Sequence, residues 1–116
     1  MTDIATPLQV RAPSPGVTVI EISGEVTRES DAALKDAYER AGTGTRSIVL
    51  AFDELDYMNS SGIGLLVTLL VRAQRNGQRI FAYGLTEHYR QIFALTRLDE
   101  VISIHETEHA ALAAAG

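Results

Sequence analysis

Residues 53–75 read DELDYMNSSGIGLLVTLLVRAQR and join a predicted strand to a long apolar helix. The strand lies at residues 47–52, SIVLAF, a short and almost continuous apolar run of the kind that is covered on both faces. The run is interrupted by an acidic cluster, Asp53, Glu54 and Asp56. Asn59 and Ser60 then supply side-chain oxygens that can accept hydrogen bonds from the unpaired N–H groups of a helix N-terminus. The sequence therefore predicts a helix that begins near Ser60 or Ser61.

The predicted helix has one narrow polar stripe and is otherwise almost entirely apolar. The stripe consists of Ser61, Gly64, Thr68, Arg72 and Arg75. The opposite face consists of Ile63, Leu66, Val67, Leu70 and Ala73, with Leu65, Leu69 and Val71 on its flanks. This is more apolar surface than one contact with a sheet needs. We therefore expect at least one of the flank residues Leu65 and Val71 to be exposed for a partner.

Ser61 lies in the first turn of the polar stripe, where another protein can reach its hydroxyl. A phosphate on this hydroxyl would meet the positive end of the helix dipole, so the fold would tolerate it. It would add roughly two negative charges to a surface that already carries the acidic cluster. We therefore expect the effect of phosphorylation to be felt mainly by a protein that docks at Ser61.

Residues 57–64, YMNSSGIG, follow a buried strand and an acidic loop. This stretch resembles the signature of STAS-domain anti-sigma-factor antagonists, the bacterial anti-anti-sigma proteins, and the order of the neighbouring elements fits the same family. In that family the serine directly before the glycine is phosphorylated by a partner anti-sigma factor acting as a serine kinase, and the matching residue is Ser61. The unmodified antagonist holds the anti-sigma factor and frees sigma, whereas phosphorylation breaks the complex.

The resemblance implies a partner-binding surface around this junction, formed by Asn59, Ser60, Ser61, Gly62, Ile63 and Leu65, together with Thr27. The sequence departs from the family pattern at two positions. The residue two before the phosphoserine is commonly Asp in the family and is Asn59 here. The Gly-Glu-Leu-Asp segment of better-known members reads Gly24-Glu25-Val26-Thr27. Both changes remove a carboxylate from near the site and leave the fold untouched.

The composition predicts one domain, residues 1–116, because 116 residues with 46% apolar content can bury one core and leave no room for a second. The net charge of -5 and the lack of a Lys/Arg cluster argue against binding to nucleic acid or an anionic membrane. The absence of cysteine excludes disulfides and thiolate metal sites. With no apolar run of membrane-spanning length and no signal-peptide pattern, we expect a cytoplasmic protein.

The remaining pattern predicts an α/β, STAS-like fold with a mixed sheet of four to five strands, an N-terminal hairpin and three to four helices. Residues 1–7 are expected to form a loose arm and residues 24–27 a loop. Further strands are predicted at residues 8–11, 17–22, 79–83 and 101–104. Further helices are predicted at residues 29–41, from Thr86 onward with an apolar stripe of Tyr89, Ile92, Phe93 and Leu95, and at residues 107–115, whose docking the weak pattern leaves open.

Three other motifs could indicate a metal site, a hydrolase or a nucleotide-binding site. Residues 105–109, HETEH, match zinc-peptidase patterns, but His105 directly follows a predicted strand, so the two imidazoles are not expected one helical turn apart. A hydrolase nucleophile at Ser61 would need Gly-x-Ser-x-Gly, which is absent, and a base from distant histidines. Gly62-x-Gly64 is too short for a dinucleotide fingerprint, which leaves nucleotide binding a weak hypothesis. Plain helix capping explains Asn59, Ser60 and Ser61 without any further function.

We therefore predict a regulatory module that is not an enzyme, has no cofactor and no metal, and is switched by phosphorylation of Ser61. Its predicted partner is an anti-sigma factor with a serine kinase domain. The alternative is a STAS-like binding subunit of another assembly, such as a transporter accessory protein or a stressosome-type scaffold, in which the serine only caps a helix. The oligomeric state stays open.

Overall fold

The computed structural model of this chain describes residues 8–116, so the predicted arm at residues 1–7 lies outside the described part. Seven strands are present in those residues: β1 (Gln9–Ser14), β2 (Val17–Glu21), β3 (Gly24–Val26), β4 (Ser47–Ala51), β5 (Leu55–Met58), β6 (Arg79–Tyr83) and β7 (Ser103–His105). The helices are α1 (Asp31–Ala41), α2 (Ser60–Arg75), α3 (Glu87–Leu95) and α4 (Glu108–Ala115). Short 3-10 turns lie at Arg28–Ser30 and Leu98–Glu100.

Five strands form the large sheet, in the order β1-β2-β4-β6-β7. β1 and β2 are an antiparallel hairpin, and every other pair in this sheet is parallel. The mixed sheet with an N-terminal hairpin and four helices confirms the predicted fold class. β3 and β5 form a second, separate sheet of two parallel strands, which we call the small sheet.

The central strand β4 explains why its sequence is an unbroken apolar run. All five of its residues are buried, because helices cover both faces of the large sheet. Ile48 and Leu50 belong to the larger core cluster, which α1, α2 and α3 cover. Val49 and Ala51 belong to a second cluster under α4. Alternate side chains of one strand thus enter two different cores.

The C-terminal helix α4 docks on the large sheet through small side chains and a polar network. Ala111 and Ala115 are buried against the second cluster, where their size permits close approach. At the start of the helix, the Arg11 guanidinium donates to both carboxylate oxygens of Glu108, at 3.2 and 2.7 Å, and to Glu21 at 3.0 Å. The Tyr83 hydroxyl donates to Glu108 at 2.8 Å. The weak helical pattern of residues 107–115 does not predict these contacts.

This network changes the acidity of its members. Hydrogen bonds from Arg11 and then from Tyr83 lower the pKa of Glu108, because they stabilise its carboxylate. Burial, followed by the neighbouring Glu108, raises the pKa of Tyr83. Glu108 is therefore ionised and Tyr83 neutral near pH 7, which is the combination that the hydrogen bonds require.

The prediction of a loop at residues 24–27 was wrong. Gly24–Val26 is the strand β3, which pairs in parallel with β5, and β5 itself was predicted only as part of the acidic loop. Three- and four-residue strands are too short to show a periodic signal. A parallel partner also lies at a distance along the chain that no local pattern specifies.

Other differences concern the ends of elements. The last strand is Ser103–His105 rather than residues 101–104, and Val101 is exposed. Leu95 was predicted on the apolar stripe of α3 but is 84% exposed. It is the final residue of that helix and extends past the surface that Tyr89 and Phe93 cover. The first strand continues to Ser14, and Gly16 adopts a positive φ of 78° in the turn that follows.

Candidate phosphorylation and partner-binding site

The helix α2 begins where the sequence predicted, and Asn59 is its N-cap. The Asn59 backbone is extended, and its side-chain oxygen accepts a hydrogen bond from Gly62 N–H at 2.9 Å. The Asn59 carbonyl accepts from Ile63 N–H at 3.0 Å. The first of these bonds satisfies one of the otherwise unpaired donors of the first turn, and the second is the first regular bond within the helix. The backbone on both sides of Ser61 is consequently fixed.

Ser61 lies on the exposed side of α2, as do the other members of the predicted polar stripe. Its neighbour Ser60 is also exposed. The cap is formed by Asn59 alone, so the hydroxyl of Ser61 is not needed to hold the helix start. Among the described residues, none of the three histidines makes a hydrogen bond to Ser61 of the kind a hydrolase nucleophile requires. The geometry supplies an accessible acceptor hydroxyl without a base.

Gly62 is the point of closest packing in the site. A Cβ at this position would lie 2.2 Å from the carbonyl oxygen of Val26 and 2.9 Å from Cγ of Met58. The helix start therefore rests directly on the backbone of β3, and only glycine permits that approach. The same Val26 carbonyl accepts a hydrogen bond from Asn59 N–H at 3.3 Å. Gly62 thus fixes the position of the helix start relative to the small sheet.

The small sheet is held from the other side by Tyr89 of α3. The buried Tyr89 hydroxyl accepts a hydrogen bond from the backbone N–H of Met58 at 2.8 Å. The periodicity of this segment places Tyr89 on an apolar stripe and does not predict this contact. The one signal for it in the sequence is that a tyrosine on a buried stripe needs a hydrogen-bond partner for its hydroxyl.

Thr27 follows directly after β3 and caps the 3-10 turn at Arg28–Ser30. Its hydroxyl oxygen accepts from Glu29 N–H at 3.3 Å, and the Ser30 hydroxyl accepts from Thr27 N–H at 3.0 Å. The Thr27 side chain is half-buried and engaged in this reciprocal cap. Because Val26 contacts Gly62, the structure brings Thr27 to the same end of the molecule as the start of α2.

The predicted apolar partner residues differ in exposure. Ile63 and Leu65 are partly buried and pack against the larger core. Val71 is 41% exposed, which confirms that at least one flank residue is accessible. Val67 was placed on the apolar face opposite the polar stripe and is 39% exposed, because the sheet and neighbouring helices cover only part of the apolar surface of α2. An exposed apolar strip therefore runs along the helix beyond the serine.

The acidic cluster lies at the opposite end of β5 from the serine. Asp53 and Glu54 precede β5, and Asn59 follows it, so roughly 15 Å of extended chain separates them. Only Asp56 is within the strand, with an exposed side chain. All three carboxylates were expected on the same surface as Ser61. Asp53 and Glu54 lie farther along the chain from that surface than Asp56 does.

The zinc-like motif at residues 105–109 is divided between two elements. His105 ends β7 and packs beside the ring of Phe81, with 6.2 Å between centroids, whereas His109 lies in α4. Glu108 is engaged by Arg11. Within residues 8–116, no group of three His, Cys, Asp or Glu side chains is arranged to hold a metal ion. In the same range no helix combines the length and apolar character needed to cross a membrane.

Sequence comparisons show which known proteins this chain is similar to. A family model described as Mlab, STAS domain matches residues 10–104. An anti-sigma-B factor antagonist of Staphylococcus aureus is 29% identical over 63 residues, which are 54% of this chain and 58% of that protein's length. An anti-sigma-B factor antagonist of Listeria monocytogenes is 28% identical over 91 residues, covering 77% of this chain and 79% of that protein.

Comparison of structures gives the same fold. The anti-sigma factor antagonist SpoIIAA in its unphosphorylated form matches with a TM-score of 0.73 at 19% identity, over 92% of this chain and 96% of that one. SpoIIAA of Bacillus in its phosphorylated form matches with a TM-score of 0.69 at 20% identity, over 94% and 99%. At these identities the likeness establishes a shared fold.

Proposed function

The chain belongs to the STAS domain family, and we propose that it is an anti-sigma-factor antagonist that regulates sigma-dependent transcription. In this proposal it binds an anti-sigma factor that carries a serine kinase domain, and phosphorylation of Ser61 releases that partner. The observation that carries the proposal is an exposed serine hydroxyl on a rigidly held helix start. The names of the Staphylococcus and Listeria relatives support the same role.

Ser61 suits a kinase because its backbone is fixed while its side chain is free. The Asn59 cap and the contact of Gly62 with Val26 hold the first turn of α2 in one position. A partner kinase therefore meets an acceptor whose geometry is already set, which lowers the entropic cost of positioning it. The acceptor serine and the surface that the partner recognises are then the same part of the molecule.

The chemical step belongs to the partner. The γ-phosphoryl group of ATP is transferred to Oγ of Ser61, the bond between the γ-phosphorus and the bridging oxygen of ADP breaks, and ADP leaves. The hydroxyl proton of Ser61 passes to a base of the kinase. This chain contributes the acceptor, and it binds no cofactor of its own in the proposed cycle.

Release follows from charge at the interface. The phosphate adds roughly two negative charges at Ser61. Within this chain the positive end of the α2 dipole stabilises them, so the fold is retained. In the complex they must be desolvated against a partner surface that fits a neutral hydroxyl, with Ile63, Leu65 and Thr27 around it. The free energy of binding therefore falls while the free energy of unfolding stays nearly unchanged.

The proposal is tested by measuring binding to the anti-sigma kinase with and without ATP. Ser61→Ala is expected to remain bound when ATP is added, because no phosphate can form. Ser61→Asp is expected to bind poorly. Ser60→Ala is the matched control, since its loss of a neighbouring exposed hydroxyl should leave release by ATP intact. Binding of Ser61→Asp as tight as that of the unsubstituted chain would show that the charge mechanism is wrong.

Intact-mass analysis of the chain purified from its own cells gives an independent test. A mass increase of one phosphate that maps to Ser61 supports the switch. Unmodified protein under both growth and stress conditions, with capture of a membrane transport complex instead of a kinase, would favour the alternative of a constitutive binding subunit.

A further inference from the structure

The helices α1 and α2 run side by side in the same direction. Toward their C-terminal ends, the guanidinium of Arg72 lies over the ring of Tyr38, 4.7 Å from its centroid. At the start of α2, Gly62 lies against the carbonyl of Val26, which precedes the 3-10 turn at Arg28–Ser30. Cα atoms of this turn come within 8 Å of Cα atoms of α2. The two N-terminal ends are therefore neighbours, and the contact of Arg72 with Tyr38 fixes their relative height.

Arg28 and Ser61 lie level with each other on these two elements. From Tyr38 back to Arg28 there are seven residues of α-helix and three of 3-10 helix, a rise of about 16 Å. From Arg72 back to Ser61 there are eleven residues of α-helix, which again rise about 16 Å. The backbone of Ser30, between the turn and α1, is helical, so the turn continues into the helix. Equal distances from facing residues place Arg28 beside Ser61.

The same count shows on which side of each element the two residues lie. Eleven residues of α-helix are three turns, within about 20°, so Ser61 lies on the side of α2 that carries Arg72. Three residues of 3-10 helix are one turn and seven residues of α-helix are two turns, within about 20°. Arg28 therefore lies on the side of its element that carries Tyr38. Since Arg72 and Tyr38 face each other, Arg28 and Ser61 lie on facing sides as well, and both are exposed.

The guanidinium of Arg28 has no acidic partner within residues 8–116. Two other cations at the contact between α1 and α2 are engaged. Lys35 pairs with Asp31 at 3.1 Å, and Arg72 pairs with Glu39 at 3.7 Å. Arg28 is therefore the cation that can respond to a new negative charge at the start of α2.

We propose that Arg28 is the receptor for the phosphate on Ser61, so that its guanidinium binds the phosphate in the modified chain. Neighbouring helices pack with about 8–10 Å between their axes, a separation that a phosphoserine and an extended arginine side chain span together. Guanidinium and phosphate form paired, charge-assisted hydrogen bonds, which are stronger than those between neutral groups. The inference rests on the proposed phosphorylation of Ser61 and names the residue that responds to it.

This contact changes the surface that a partner meets. Arg28 directly follows Thr27, a member of the predicted partner-binding surface, and is exposed in the unmodified chain. Once it binds the phosphate, the partner meets a phosphate and also loses a free guanidinium. The guanidinium cancels about one of the roughly two charges that the phosphate adds. The switch therefore alters two side chains at once, while the modified chain carries less uncompensated charge.

The test uses protein into which phosphoserine is incorporated at position 61 during synthesis, so no kinase is needed. Phosphorus NMR across a pH titration measures the second pKa of the phosphate, which is about 6 in an exposed phosphoserine. A bound guanidinium favours the doubly charged form and lowers this pKa. Arg28→Gln is therefore expected to raise the pKa of the phosphate by about 0.5 relative to the phosphoprotein with the original sequence.

Several other charges lie on the elements packed around the start of α2 and act on the phosphate equally in both proteins. They are Glu29 of the 3-10 turn, the ion pair of Asp31 and Lys35 on α1, and Glu25 and Asp56 of the small sheet. The α2 dipole is also common to both proteins. The difference between the two titrations therefore isolates Arg28.

Arg75→Gln is the matched control. It removes the same charge from an exposed arginine of α2 that lies about 21 Å of helix from Ser61, beyond the range of exposed charges at physiological salt. The pKa of the phosphate should not change in this variant. Arg28→Lys keeps the charge and loses the planar fork, so it should restore the lowered pKa in part.

Urea denaturation gives a second readout. The change in midpoint caused by the phosphate is compared between the original sequence and Arg28→Gln. Phosphate is expected to lower the midpoint more in the variant, and high salt should remove the difference. Arg28→Gln without phosphate should keep the original midpoint, because Arg28 forms no ion pair within residues 8–116.

An equal pKa of the phosphate in Arg28→Gln and in the original phosphoprotein would overturn the inference and leave the helix start as the receptor. An equal rise in Arg28→Gln and Arg75→Gln would also overturn it, since only net charge would then matter. These outcomes are separate from those of the proposed function, because the phosphate is installed without the kinase. An anti-sigma partner that neither binds nor phosphorylates the chain would overturn the proposed function and leave both titrations unchanged.

Discussion

The large sheet and the small sheet of this molecule are stabilised in different ways. The inner strands of the large sheet are buried on both faces, and its central strand β4 has no exposed residue. The small sheet has only the strands β3 and β5, of three and four residues, and exposes Glu25 and Tyr57 to solvent. The large sheet therefore depends on total apolar burial, whereas the small sheet depends on a few specific contacts. The candidate site is built on the small sheet.

This difference means that single atoms matter more near Ser61 than in the centre of the fold. The small sheet is fixed by the contact of Gly62 with Val26, the hydrogen bond from Met58 to Tyr89, and the cap at Asn59. Each contact can be removed by one conservative substitution.

Gly62→Ala should have the largest effect. Its Cβ would lie 2.2 Å from a backbone oxygen, so either α2 or β3 must move, at a cost of about 3 kcal/mol or more in the free energy of unfolding. Urea denaturation measures this change. Gly64→Ala is the control in the unmodified chain: it adds the same methyl group to the same helix in open space and should be neutral or slightly stabilising. Equal effects of the two substitutions would contradict the close contact.

Tyr89→Phe should cost about 2 kcal/mol, because the buried N–H of Met58 loses its acceptor while the ring remains in place. Hydrogen exchange at the Met58 amide should accelerate more than exchange at amides of β4. Tyr57→Phe removes a hydroxyl from an exposed tyrosine of the small sheet and serves as the control. Uniform acceleration across both sheets would argue that the hydroxyl has no special role in the small sheet.

Asn59→Ala should cost about 1 kcal/mol through loss of the cap to Gly62. Asn59→Asp should retain that stability, since a carboxylate oxygen accepts the same hydrogen bond and favours the positive end of the helix dipole. Chemical denaturation of both variants distinguishes them. If the alanine variant were as stable as the original, the helix start would be held by the Gly62 contact alone.

The smallest effect concerns the face of the large sheet opposite the site. The pKa of Glu108 is lowered in the folded state, so its contribution to stability is present above its unfolded pKa and is lost as pH falls through the folded value. Glu108→Gln should cost less than about 1 kcal/mol at pH 7, because the group is 42% exposed, and should flatten the loss of stability in acid. Glu106→Gln, at a more exposed glutamate, is the control for the acid titration. An unchanged acid profile in Glu108→Gln would contradict the assigned role of Arg11.

Much of the fold could be predicted because the patterns that specify it are local. The apolar run of β4 and the Asn59 cap each depend on residues within a few positions of one another. The predictions were less successful where the exposure of a side chain depends on residues distant in the sequence. Val67 and Leu95 both continue an apolar pattern, yet both are exposed, because the covering elements end before they reach these residues.

The sequence by itself determined the order of the large-sheet strands and the helices, the start of α2 and the position of Ser61 on its exposed stripe, because these follow from backbone capping and side-chain periodicity. The tertiary structure alone decided that β3 pairs with β5, that Gly62 rests on the Val26 carbonyl, and that α4 docks through Arg11 and Glu108. Each of these contacts joins residues about 30 or more positions apart, and such pairing leaves no periodic trace in either segment. The position of the serine could therefore be predicted from the sequence, whereas the small sheet that supports it could not.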